Sequence, residues 1–228
     1  EDFCVEDGCF NIETPENVEI NGGIYSNYGP VIISGGKGDI NSYIGIFIPA
    51  FGDKPLSEGG SQMVNISGGE VNIKSGYAGV LIQKNYLEGT DTQSVNISGG
   101  KVVCEAGLAG FFCKNFNVSN DGGTTPLVNV SVSPDSEIPA IYSTKATVNI
   151  SEAVVIVSTG KAPAILGLDS KDSEVGNSLV VNGNSGKVYG TVEITEDLSL
   201  PENVVLTVPQ DAVLTIPEFL NFIKLYDI

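Results

Sequence analysis

Short runs of alternating apolar and polar residues cover most of the chain, and no long stretch carries the spacing of an amphipathic helix. The clearest run, Val64-Asn65-Ile66-Ser67-Gly68-Gly69, returns as Val95-Asn96-Ile97-Ser98-Gly99-Gly100. Without the glycines it recurs as Val128-Asn129-Val130-Ser131 and Val148-Asn149-Ile150-Ser151. Looser relatives are Val18-Glu19-Ile20-Asn21-Gly22-Gly23, Val31-Ile32-Ile33-Ser34-Gly35-Gly36 and Leu179-Val180-Val181-Asn182-Gly183. Each predicts a short strand with Val and Ile on one face and Asn and Ser on the other. The glycines predict tight turns at the strand ends.

The spacing of these runs carries the architecture. Val64 to Val95 is 31 residues, Val95 to Val128 is 33, Val128 to Val148 is 20, and Val148 to Leu179 is 31. Twenty residues is then the bare coil, and residues 85–94, 115–126 and 169–178 are the expected excursions from it. A second strand aligns Val71 and Ile73 with Val102 and Cys104. A third aligns Tyr43 to Ile48 with Tyr77 to Ile82 and Leu108 to Cys113, followed by Ile138 to Tyr142 and Ala162 to Leu166. Gly45, Gly79, Gly110, Ala140 and Ala164 form a column of small residues, as expected where each coil turns one tight corner against the next.

Stacked coils of this kind bury a core that none could bury alone. The expected fold is all-β: a single right-handed parallel β-helix, or β-solenoid, with three short strands per coil. Residues 1–17 would be an N-terminal cap segment and 18–187 the coils. Residues 188–228 would form shorter terminal rungs and a C-terminal cap of one continuous domain. The change of rhythm is plain in Leu198-Ser199-Leu200-Pro201, Leu206-Thr207-Val208-Pro209 and Leu214-Thr215-Ile216-Pro217, which repeat every eight residues. Leucine-rich repeats have a similar period, but their Leu-x-x-Leu-x-Leu pattern is missing.

Charge narrows the partners. The 228 residues carry a formal net charge of −17, and all 11 basic side chains are Lys. Such a surface disfavours nucleic acid and anionic membranes, and no apolar run approaches transmembrane length. Four cysteines fall into two close pairs, Cys4 with Cys9 and Cys104 with Cys113, without the spacing of a zinc site. In an oxidising compartment each pair is a candidate disulfide, and buried repeat-core thiols are the alternative. Export is the expectation, with the chain secreted or attached to a cell surface.

The coils quoted from Val64 and Val95 resemble repeat coils of bacterial secreted and surface proteins in the pectate-lyase-like β-helix superfamily. The Leu-x-Val-Pro and Leu-x-Ile-Pro tail is similar to repetitive segments of cell-surface proteins of gut-type bacteria. The resemblance spans about Val18 to Pro217. It implies a parallel β-helix, and it leaves open whether a member is a lyase, a hydrolase, a carbohydrate-binding module or an adhesin.

The chain has no His and no Arg, which removes the usual general base and every Ser-His-Asp or Cys-His arrangement. Calcium-dependent lyases of the resembling superfamily typically use an Arg base, so a lyase here would need a Lys base, for which Lys84 and Lys114 hold equivalent positions. No Asp-x-Asp cluster offers the paired acids of a hydrolase. Binding features are more numerous. Tyr43 and Tyr77 occupy equivalent positions in consecutive coils, with Tyr25 and Tyr28 in an adjoining turn. Asn65, Asn96, Asn129 and Asn149 are expected to stack as an outward amide ladder, which supports the surface or meets a glycan. Asp169, Asp172 and Glu174 share one loop and, with Asp53 and Glu58, are the weak candidates for calcium, the only cofactor the sequence leaves open. The function expected is a non-enzymatic, adhesin-like or structural module contacting glycan or protein. The alternatives are a calcium-assisted binder of acidic polysaccharide and a Lys-based lyase.

Overall fold

The computed structural model describes residues 3–5, 10–12, 17–26, 30–49, 62–83, 93–121, 123–158 and 161–218, with side chains described from Glu19 onward. Among them there is no helix, and the strands pair almost entirely in parallel. This is an all-β, largely parallel sheet compatible with a β-solenoid. Three ladders account for most of the pairing. The first joins Phe10–Ile12, Val31–Ile33, Met63–Ile66, Ser94–Ile97, residues 115–119, residues 147–151 and Glu174–Gly176. The second joins Asn17–Asn21, residues 37–42, residues 70–75, Lys101–Ala106, Leu127–Val132, Val154–Val157 and Ser178–Asn182. The third joins Phe3–Val5, Ile24–Ser26, residues 44–48, 78–82, 109–113, 141–143 and Ile165–Leu166.

Period-2 alternation explains each ladder. Val64, Ile66, Val95 and Ile97 of the first, Val71, Ile73, Val102 and Cys104 of the second, and Val80, Ile82, Phe111 and Cys113 of the third are all buried in one continuous core. The second- and third-strand alignments read from the sequence are those observed.

The first ladder differs from the sequence reading in a definite way. Val95 is in register with Phe116, and Phe116 with Val148. The run that follows Val95 is therefore Phe116-Asn117-Val118-Ser119, with Phe116 and Val118 buried, inside the span 115–126 expected to be an excursion. Val128 instead pairs with Val102, and Leu179 with Val154, so both belong to the second ladder. Val18 likewise pairs with Gly38 in the second ladder, and Phe10–Ile12 is the first-ladder strand there. The interval of 20 from Val128 to Val148 thus joins two different ladders. A spacing of 20 residues within one ladder does occur, from Val18 to Gly38, and one of 21 residues from Asn96 to Asn117. Glu174–Gly176 is also strand, within the expected excursion 169–178.

The corner between the first and second ladders depends on glycine. Gly36, Gly69 and Gly100 have φ of 72°, 77° and 75°, which other residues adopt only with strain. A side chain at Gly69 would strike the Gly36 carbonyl of the coil below, and one at Gly100 the Gly69 carbonyl. Close approach also explains the small-residue column. A Cβ on Gly45 would lie 2.5 Å from the Gly79 carbonyl oxygen, and one on Gly79 would lie 2.7 Å from that of Gly110 and strike the Cys104 sulfur.

Between the third and first ladders, Gln62 and Gln93 are fully buried. Gln93 donates to the Gln62 side-chain oxygen and to the Gln83 carbonyl at 2.9 Å, while Gln62 donates to the Pro49 carbonyl at 2.8 Å. These two amides are satisfied by each other and by the Pro49 and Gln83 carbonyls, as burial of polar groups requires.

After Asn182 the chain reverses. Ser178–Asn182 pairs antiparallel with Ser185–Tyr189, which then pairs in parallel with Val205–Thr207, while Thr191–Glu193 pairs with Val213–Thr215. Val154, Ile156, Leu179 and Val181 face outward from the second ladder and form a second core with Val188, Val192, Ile194, Leu198 and Leu200. The unbroken apolar runs Val154–Val157 and Leu179 to Val181 are the sequence mark of strands covered on both faces.

Cys104 and Cys113 are free thiols, so the bridge proposed between them is not formed. Both side chains lie in the packed core as small apolar groups. The thiols are pushed up to about 12, chiefly by burial. Cys9 lies outside the described residues, and with it the Cys4–Cys9 pair.

Candidate functional site

The outer face of the third ladder carries a column of large side chains. Tyr25 is in register with Phe47, Phe47 with Leu81, Leu81 with Phe112, Phe112 with Tyr142, and Tyr142 with Leu166. Their chain neighbours Ile24, Ile46, Val80, Phe111, Ile141 and Ile165 are buried, so alternation turns this column outward, where each member is half-buried. The rings pack on one another. Tyr25 and Phe47 meet edge to face with centroids 5.3 Å apart, and Phe112 and Tyr142 stack at 4.6 Å with planes 9° apart. Face-to-face stacking occupies the inner faces and leaves ring edges toward solvent.

Tyr43 and Tyr77 lie beside this column, at the corner entering the third ladder. Their centroids are 5.5 Å apart with planes at 26°, and the residues are 69% and 37% exposed. Gly76 makes room for the pair, because a Cβ there would meet the Tyr43 ring at 3.3 Å. In the preceding coil the same corner is Gly22-Gly23, between Asn21, in register with Asn41, and Ile24, in register with Ile46. Neither glycine has a side chain to continue the stack. Beside this corner is a cleft of about 160 Å³ lined by Gly23, Ile24, Tyr25, Ser42, Tyr43, Ile44 and Phe47. None of these residues is charged. Tyr25, Tyr43 and Tyr77, chosen from the sequence, are thus brought together, with Phe47 added. Tyr28 lies outside the described residues.

Asn65 and Asn96 are on the outer face of the first ladder, but their amides are turned to each other. Asn96 donates to Asn65 at 2.8 Å, Asn117 to Asn96 at 2.8 Å, and Asn149 to Asn117 at 2.9 Å. The ladder runs through Asn117, not Asn129, because Asn129 belongs to the second ladder. Its hydrogen bonds are spent on the stack.

Among the described residues no three His, Cys, Asp or Glu side chains converge, and Asp169, Asp172 and Glu174 are divided between a turn and the start of a strand. Asp53 and Glu58 lie outside the described residues. So does Lys84, while Lys114 stands at the corner between Cys113 and Asn115, its backbone N–H donating to the Gln93 carbonyl at 3.2 Å.

One feature escaped the sequence reading: an open polar groove of about 370 Å³ on the outer second ladder, lined in part by Glu19, Asp39, Asn41, Asn72, Lys74 and Glu105. Its groups pair with one another. Asn72 donates to Asp39 at 2.7 Å and to Glu70 at 3.3 Å, and Lys74 lies 3.7 Å from Glu105. The signal was available in the outward positions of the strands that follow each Gly-Gly corner. No family model, curated protein or solved structure matches the chain.

Proposed function

We propose that this chain is a right-handed parallel β-helix with three short strands per coil, acting without catalysis as an extracellular, adhesin-like module that contacts glycan at a cell surface. The observation that carries this reading is the Tyr43 ring: highly exposed, backed by Tyr77, and opening on an uncharged cleft with Tyr25 and Phe47. An aromatic face held rigidly at a surface is a platform for the C–H face of a sugar, and here its orientation is fixed by ladder pairing on both sides. The groups lining the cleft include no carboxylate, amine or thiol to move a proton or attack a substrate. The absence of His and Arg from the whole sequence supports the same reading.

The test is a glycan array probed with the fluorescently labelled protein beside its Tyr43→Ala variant, together with adherence of cells displaying each. Binding by the parent that Tyr43→Ala loses, at an unchanged thermal midpoint, is expected. A parent that binds neither glycans nor cells overturns the reading.

A further inference from the structure

We infer that the Tyr43 cleft takes a single neutral pyranose ring presented at a chain end, not an extended or acidic polysaccharide. This inference rests on the glycan-contact reading and gives it a ligand class.

Size is the first argument. At about 160 Å³ the cleft falls well below the roughly 300–1,000 Å³ of sites that enclose larger ligands. It has room for one ring and not for a run of them.

The distribution of free ring faces is the second. A polymer lying along the stack would need a platform in each coil it crossed. Among the described residues the other rings of this face are each engaged on one side: Tyr77 stacks on Tyr43, Tyr25 sits against Phe47, and Phe112 and Tyr142 stack on each other. Tyr43 is the most exposed ring among the described residues, at 69%, and it lines the cleft together with Gly23 and Tyr25. One face accommodates one sugar.

Charge is the third. No cation lines the cleft to pair with a carboxylate, and the chain as a whole carries −17. A uronate would lose hydration without gaining a charged partner, in a repulsive field. A neutral ring meets the opposite situation. Its C–H face covers Tyr43, and its hydroxyls reach the rim, where the Tyr25 and Tyr43 hydroxyls and Ser42 offer hydrogen bonds. Ser42 donates its own proton to the Ile44 carbonyl at 2.6 Å, which leaves its oxygen as an acceptor for a sugar hydroxyl.

The experiment titrates the full chain with methyl β-galactopyranoside, methyl β-glucopyranoside, galacturonic acid and polygalacturonate, following tyrosine ring protons by NMR and ligand signals by saturation transfer. The inference expects saturable binding of at least one neutral methyl glycoside, weakened about tenfold or more by Tyr43→Ala and retained by Tyr43→Phe. Because Tyr43 is mostly exposed, both variants should keep the parent's thermal midpoint. Binding of polygalacturonate or another polymer without binding of either glycoside overturns the inference and leaves the glycan-contact reading standing. Binding of a glycoside that Tyr43→Ala leaves unchanged also overturns it. A parent that binds no glycan, monomeric or polymeric, overturns both.

Discussion

The side-chain amide of Asn117 lies 2.8 Å from the side-chain oxygen of Asn96, its partner 21 residues earlier in the chain. Asn117 also accepts from Asn149, so it is an interior member of the ladder. Replacing it by Ala removes two hydrogen bonds and leaves one partner on each side unmatched, a loss of about 2 kcal/mol. Asn129→Ala should change stability by less than about 0.5 kcal/mol, since Asn129 is outside that ladder. Urea denaturation of the two variants distinguishes this register from the one in which Asn129 follows Asn96.

Gly69→Ala should cost about 1–3 kcal/mol, because Ala must adopt φ near 77° with its Cβ against the Gly36 carbonyl. Gly123→Ala is the control. A Cβ there meets nothing within 4 Å, and the denaturation midpoint should stay where it is.

Gln62 and Gln93 should show strong non-additivity. Gln93→Leu alone strands the Gln62 side-chain oxygen in a buried site, at about 1–3 kcal/mol. Changing both to Leu should cost clearly less than the sum of the two single changes, as a double-mutant cycle on thermal stability would reveal.

The buried thiols predict an alkaline limit. Cys104 and Cys113 are raised from 9.0 to about 12 in the folded chain. Above pH 9 the unfolded chain releases these protons and the folded chain keeps them, so stability falls as pH rises toward 12. The slope is about 1.4 kcal/mol per pH unit for each thiol. Cys104→Ala should flatten that fall between pH 9 and 11, although it destabilises the chain at pH 7. A thiol reagent at pH 8 should label neither cysteine until denaturant is added.

Strand positions were legible in the sequence because period-2 alternation directly records which side chains face the core. Ladder membership was harder. Val128-Asn129-Val130-Ser131 has the same alternation as Val95-Asn96-Ile97-Ser98, and the strands themselves do not say which face of the stack they build. The corners do. Gly-Gly follows the first ladder at Gly68 and Gly99, and Gly or Ala opens the third at Gly79, Gly110 and Ala140. Where Gly-Gly was lost, after Ser119, the first-ladder strand went unrecognised. Phe116 in place of Val concealed it further, although Asn117-Val118-Ser119 kept the motif. Tyr43 and Tyr77 were found because residues of one kind recur at one position. The cleft beside them was not, because its lining joins residues 23–25 to residues 42–47, which only the strand register brings together.

Leu179 and Val181 pack into one core while Val180 between them packs into the other. A chain ending at Asn184 would therefore lay bare Val154, Ile156, Leu179 and Val181 together, a sticky surface where a clean terminus was wanted. The strands from Ser185 to Thr215 are the cover that keeps this surface dry, and any shortened version of the chain must retain them.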